Sequence, residues 1–392
     1  MRGFFDLTVP PRGRVGRARG AALAICVMIA AVFASLPAAV AQTGSLLGEA
    51  VRVVPFAGGL EHPWGMAFLP DGGLLVTERP GRLRLVSPEG RVGEPIAGVP
   101  RVSARGQGGL LDIALDPDFA RNRRVYLSYA EPRADGVATA VARARLAENN
   151  RVLTGLEVLF RQQPAYSGGL HFGSRLAFAR DGTLFITLGE RFDLSEGAQD
   201  LGTTLGKVVR INPDGSIPAD NPFRNTPGAR PEIYSLGHRN VQAAAIEPAT
   251  GRLWTVEHGA RGGDEVNRPE AGKNYGWPVI SYGRHYSGGA IGEGTAKPGM
   301  EPPLFYWDPS IAPSGAAFYD GALFPAFRGQ LFTGALAGQA LVAVRIADGR
   351  VIGEARLPLG KRVRDVRQGP DGALWLAIDS EDGEILRVIP AR

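Results

Sequence analysis

The chain has 392 residues, with 44 Lys and Arg against 39 Asp and Glu, and a single cysteine. Arg2, Arg12, Arg14, Arg17, Arg19 and Asp6 all lie in the first 41 residues, so setting that segment aside lowers the net charge from +5 to +1. This removes most of the support for a nucleic-acid partner. Cys26 lies there too, which excludes disulfides, a cysteine nucleophile and a thiolate metal site from the remainder.

Residues 1–41 read as a secretory signal peptide: a basic start, an apolar run from about 21 to 36, and the small-residue cleavage site Ala39-Val40-Ala41. The apolar run is short for a membrane span, and nothing later is long enough to cross a bilayer. With no adjacent arginine pair, the general secretory route is expected. The mature chain, 42–392, is then periplasmic or secreted; the alternative is that 1–41 stays on as an uncleaved N-terminal anchor.

After an orphan strand, "EAVRVVPFA" (49–57), one unit recurs. It is an apolar strand, a turn rich in Pro, Asp and Gly, and a second apolar strand. The copies lie at 64–78, 110–129, 175–190, 241–259, 315–336 and 366–379. Proline presets φ in such turns, Asp bonds back to the local backbone and Gly supplies positive φ. The second copy continues through "VATAVARARL" and "LTGLEVLF", making four antiparallel strands per unit. Six such units predict an all-β fold, a six-bladed β-propeller. A pair of β-sandwiches is the competing architecture. The last unit ends at its third strand, "GEILRVIP" (383–390), so the orphan strand can supply the fourth and close the ring.

In that arrangement one face collects the approach to each first strand and the exit from each second. Gln107, His171, Arg239, Asn240, Ser310, Arg362 and Arg364 lie on approaches; Glu190 and "EHGARGGDE" (257–265) lie on exits. His171 and Glu190 flank one hairpin and can pair as a general base with its orienting carboxylate, although such a pair taken alone is more often a structural hydrogen bond. Alternation sends Arg362 and Arg364 the same way, a fork suited to a carboxylate-rich ligand or to an ion pair with Asp365 or another acid. The 257–265 loop offers oxygens to a hard cation such as Ca²⁺, without EF-hand spacing. Trp64, Trp277 and Trp307 read as packing residues, although one of them can stack on a flat ligand.

These segments resemble the soluble PQQ-dependent glucose and aldose sugar dehydrogenases, from about residue 50 to 390. The resemblance rests on "HPWGMAFLPDGGLLVTER", "GQGGLLDIALDPDF", "HFGSRLAF", "GTTLGKVVRINPDGSIPADNPF", "GHRNVQ", "EHGARGGDEVN", "GKNYGWP", "SIAPSGAAFY" and "RVRDV". The compact layout is closer to the aldose sugar dehydrogenase branch. The resemblance implies the same propeller, and two cofactors, PQQ and Ca²⁺.

It further implies that His171 is the base taking the anomeric proton, Glu190 its carboxylate partner, Gln107 a contact to the substrate hydroxyl and Arg239 the residue polarising the quinone carbonyl. Asn240, Ser310, Arg362 and Arg364 match cofactor contacts. Gly259 and Ala260 match carbonyl ligands of calcium, while His258 and Asp264 match positions near a second calcium. The partners implied are an aldose sugar and a periplasmic electron acceptor, with no nucleic acid and no membrane span in the mature chain. Two departures stand out: Ala337 replaces a lysine that pairs with PQQ, and Ala260 replaces a proline. The competing functions are a calcium-dependent propeller hydrolase, such as a lactonase, and a non-catalytic binding propeller that has lost PQQ. The specificity loops, about 191–201 and 282–300, carry no readable code.

Overall fold

The computed structural model describes residues 42–391; the signal peptide expected in 1–41 lies outside them. The six repeated units form six antiparallel sheets, the blades of a β-propeller, and almost no helix. Blade 1 is Pro63–Phe68, Leu74–Glu78 and Arg82–Val86. Blade 2 is Leu110–Leu115, Arg124–Arg133, Gly136–Leu146 and Leu153–Arg161. Blade 3 is Leu176–Phe178, Leu184–Thr187, Lys207–Ile211 and Ile233–Leu236. Blade 4 is Val241–Ile246, Leu253–Glu257, Asp264–Asn267 and Phe305–Trp307. Blade 5 is Pro313–Phe318, Leu331–Ala335, Ala340–Ala347 and Arg350–Pro358. Blade 6 is Val363–Gln368, Leu374–Ile378 and Gly383–Pro390. The first strand of each blade touches the first strand of the next, from blade 6 back to blade 1.

The ring closes as the orphan strand suggests. Glu49–Leu60 pairs antiparallel with Gly383–Pro390, with Val53 opposite Val388 and Pro55 opposite Leu386. A further strand, Gln42–Leu46, folds back on it through Leu47 (φ 52°) and Gly48 (φ 84°), the two positive φ values of a tight hairpin. Blade 6 therefore has five strands and blade 1 three. The segment "QTGSL" carries no apolar alternation, so the hairpin was invisible in the sequence.

Each strand between blades buries both faces, and the apolar residues fall into six main clusters, one per blade interface. In blade 3, Leu184 and Ile186 face blade 2 while Phe185 faces blade 4. This is why second strands such as Leu74–Glu78 and Leu253–Glu257 are buried at every position rather than alternately.

A charged plug spans the centre. Arg175 Nη1 lies 3.1 Å from Asp112 and 3.1 Å from Asp365, the latter off the hydrogen-bonding line. Arg367 reaches the same two carboxylates at 2.9 and 3.0 Å. Arg175 also donates to the carbonyls of Gln242 (2.8 Å) and Arg364 (2.9 Å), and Asp365 accepts the Met66 N–H at 3.0 Å. Blade 5 contributes space: a methyl group at Gly315 would overlap the Asp365 carboxylate. All six innermost strands thus meet there, and Arg175, Asp112 and Asp365 are at most 1% exposed.

Replacing Arg175 with methionine leaves two buried carboxylates sharing one arginine. The expected loss of stability is about 3–5 kcal/mol, read from denaturant unfolding at pH 7. A loss below about 1 kcal/mol would show that the plug contributes little.

Candidate active site

Approach and exit segments meet on one face as the hairpin geometry requires. A methyl group at Gly189 would overlap the His171 carbonyl, so the glycine lets the exit of one strand lie directly on the approach to its neighbour. His171 is 4% exposed, and its Nδ1 lies 2.8 Å from Glu190 Oε2. With the carboxylate accepting, Nδ1 carries the proton and Nε2 keeps a lone pair. No described residue bonds to Nε2. The backbone N–H of His171 donates to Gln107 Oε1 at 2.9 Å, which leaves the Gln107 amide NH₂ free. Burial lowers the imidazole pKa, with the Arg239 and Arg191 cations acting the same way and Glu190 opposing them. Burial thus favours the neutral imidazole, with its lone pair on Nε2.

Two cavities adjoin this pair. One, of about 540 Å³, is lined by Gln107, Gly173, Gln242, His258, Arg362 and Arg364, among others. The other, of about 400 Å³, is lined by Glu190, Phe192, Arg239, Ala260, Trp277 and Tyr286, among others. Arg239 joins them, since its Nη1 donates to the carbonyls of His258 (3.2 Å) and Gly259 (2.5 Å).

Among the described residues lining these cavities, Arg239 Nε, Trp277 Nε1 and Arg364 Nε are buried without a partner, as is Nδ2 of Asn240, which lies behind Gly173. All are N–H donors. Asn240 spends its oxygen on the N–H of Gly173 at 3.1 Å and on Gln242 at 3.3 Å, so only its NH₂ is free. A buried unsatisfied donor is costly. Four around one site fit a ligand rich in carbonyl and carboxylate oxygens, as PQQ is.

The late arginines do form a fork, but it already holds a carboxylate. Arg362 and Arg364 each reach Asp379 at 3.2 Å, His62 Nδ1 lies 2.8 Å from it, and these partners hold the Asp379 pKa well below the carboxylate range despite burial. Asp365, the acid weighed in the sequence, belongs to the plug instead. Asp379 and His62 were missed, although a signal existed. Glu78, Glu190, Glu257 and Asp379 all sit at the exit of a second strand, and the acid of the last unit follows that rule.

The calcium positions divide. The Gly259 carbonyl accepts from Arg239 and the Ala260 carbonyl accepts the Arg284 N–H at 2.8 Å, leaving one lone pair on each for a hard cation. Asp264 does not fit a second cation. Its oxygens accept from Ser310 (2.9 and 2.7 Å), Gly259 (2.8 Å), Ile311 (2.7 Å) and Ala312 (3.0 Å). His258 is neutral, pushed down to about 3 by burial, and bonds the Pro313 carbonyl through Nε2 at 2.6 Å. Ser310 is thus committed to Asp264 rather than to the two cavities. Ala337 is exposed, and Leu336 beside it lines the larger cavity. Trp64 packs under Arg175 at 4.0 Å, and Trp307 is buried at 3% exposure.

The glucose/sorbosone dehydrogenase family model matches residues 60–387. The aldose sugar dehydrogenase YliI of Escherichia coli (strain K12) is 48% identical over 337 residues, spanning 84% of this chain and 91% of that protein. The crystal structure of the soluble aldose sugar dehydrogenase from Escherichia coli in the apo-form superposes with a TM-score of 0.85 at 45% identity, covering 87% of this chain and 100% of that one. The PQQ-bound form of the aldose sugar dehydrogenase from Streptomyces coelicolor superposes with a TM-score of 0.73 at 31% identity, covering 86% and 98%.

In ¹³C-histidine NMR, His171 is expected to titrate below its ordinary 6.5. Glu190→Gln should move the midpoint lower still, because the carboxylate is the group favouring the imidazolium. A midpoint above 6.5 in the wild type would refute the assignment of a neutral base.

Proposed function

Because the chain belongs to the glucose/sorbosone dehydrogenase family, we propose that it is a PQQ- and Ca²⁺-dependent aldose sugar dehydrogenase, working in the periplasm or outside the cell. It oxidises the C1 hydroxyl of an aldose to the lactone and passes electrons to a separate acceptor. The observation that carries this reading is the His171–Glu190 pair, with its free Nε2, set beside the unpartnered donors of Arg239 and Asn240.

PQQ, when bound, supplies the two-electron acceptor for the C1 hydride. His171 Nε2 takes the proton of the anomeric hydroxyl, while Glu190 keeps the ring oriented and stabilises the imidazolium that forms. The free NH₂ of Gln107 holds a sugar oxygen. Arg239 Nε and Asn240 Nδ2 would hold quinone oxygens and favour negative charge there. Arg364, through its free Nε, and Arg362 answer the cofactor's carboxylates and compensate for Ala337, where the resemblance expects a lysine.

Calcium at the Gly259 and Ala260 carbonyls would gain only neutral oxygens from the protein, beside the Arg239 cation. It therefore binds with the cofactor's carboxylates rather than before them. A lactonase-like cage is disfavoured, because Asp379, the carboxylate lining the larger cavity, is already held by two arginines and His62.

Purified protein titrated with PQQ in Ca²⁺ should show saturable absorbance changes and aldose-dependent dye reduction. His171→Gln should retain PQQ binding while kcat falls by about 10²–10⁴. Lack of PQQ binding at micromolar concentration would sink the reading. By linkage, Tm should rise with PQQ and Ca²⁺ together and stay unchanged with Ca²⁺ alone.

A further inference from the structure

The two residues after Glu190 adopt a conformation that side chains avoid, and the chain uses it to place one aromatic ring. Arg191 has φ 69° and Phe192 φ 72°, successive left-handed positions with no glycine between them, where Cβ crowds the backbone. Such strain persists only when the surroundings over-determine it, and it gathers at functional sites.

The surroundings here can be named. The Arg191 guanidinium, fully buried, donates to the carbonyls of Leu170 (2.9 Å), Val137 (2.6 Å) and Gly168 (2.5 Å). It stacks on Phe172 at 3.9 Å. Glu190, the partner of His171, accepts the Phe192 N–H. A buried cation with only neutral carbonyls as hydrogen-bond partners is a costly fastening for one short loop.

What the loop presents is the Phe192 ring, 38% exposed. It meets the His171 imidazole edge-on at 5.2 Å, and the Tyr286 ring, 60% exposed, lies 6.1 Å away. Phe192 and Tyr286 line the smaller cavity with Glu190, Arg239 and Trp277. A half-solvated phenyl ring on strained backbone adds little to the core, so its placement calls for a ligand.

Resting on the aldose reading above, we infer that Phe192 is a specificity-determining residue. Its ring is the wall against which the C–H face of a pyranose packs, so that the anomeric hydroxyl meets His171 Nε2. Arg191 is the positioning residue that holds the wall, and Tyr286 bounds the same space.

Phe192→Gly separates this role from a structural one, because glycine accepts the left-handed backbone without strain while deleting the ring. The variant should unfold at or above the wild-type Tm. Its KM for glucose should rise about tenfold with kcat within about threefold, the sign of lost binding rather than lost chemistry. Phe192→Leu, which restores an apolar wall, should recover most of the KM. A lower Tm in Phe192→Gly, or an unchanged KM, would overturn the inference while leaving the dehydrogenase reading intact. A wild-type protein that binds PQQ yet oxidises no aldose would overturn that reading, and the inference with it.

Discussion

The propeller turns on how its axis is filled. Six sheets arranged about one line leave a channel that apolar side chains do not fill here; two arginines and two aspartates do. Taking such charges out of water is expensive unless each finds partners of good geometry. The partners come from different blades: Asp112 from the second, Arg175 from the third, Asp365 and Arg367 from the sixth. The charges are therefore satisfied only when the ring is complete. The same arginine donates to the backbone of Arg364, so the plug that joins the blades also supports the site.

Above the plug, one local device recurs three times. His62 with Asp379, His171 with Glu190 and His238 with Glu257 each place Nδ1 2.8 Å from a carboxylate oxygen. In the third, His238 Nε2 also contacts Ser235 Oγ at 2.9 Å, completing the connectivity of a Ser-His-acid triad. That triad is sealed: Ser235 and His238 are fully buried, and the ring stacks on Tyr275. Its Glu257 instead accepts the backbone N–H of Arg239 at 2.7 Å and holds that residue in place. The first is tied into the arginine fork. His62 and His171 both keep Nε2 free near an unpartnered guanidinium N–H, but only His171, of the two, has an orienting carboxylate that no arginine shares. Access and surroundings, not the pair itself, make the difference.

The repeated turn signature was enough to count the blades and to find the strand that closes them. It works because Pro, Asp and Gly act through local backbone geometry, which a sequence displays directly. The same logic placed Gln107, His171, Glu190, Arg239, Asn240 and Arg364 on one face. It could not separate Ser310 from them, since the hydroxyl turns toward Asp264 from a blade away. Nor could it show that Asp379 occupies the arginine fork, because residues 62, 362, 364 and 379 meet only where the two ends of the ring join.

The sequence by itself determined the fold class, the blade count and the residue types gathered at the mouth of the channel, all consequences of short-range pattern repeated around a closed ring. Tertiary structure alone decided which charges neutralise one another, which donors stay free and which ring lies against His171. Those outcomes depend on side-chain distances between blades and on burial. Neither is encoded at any single position of the chain.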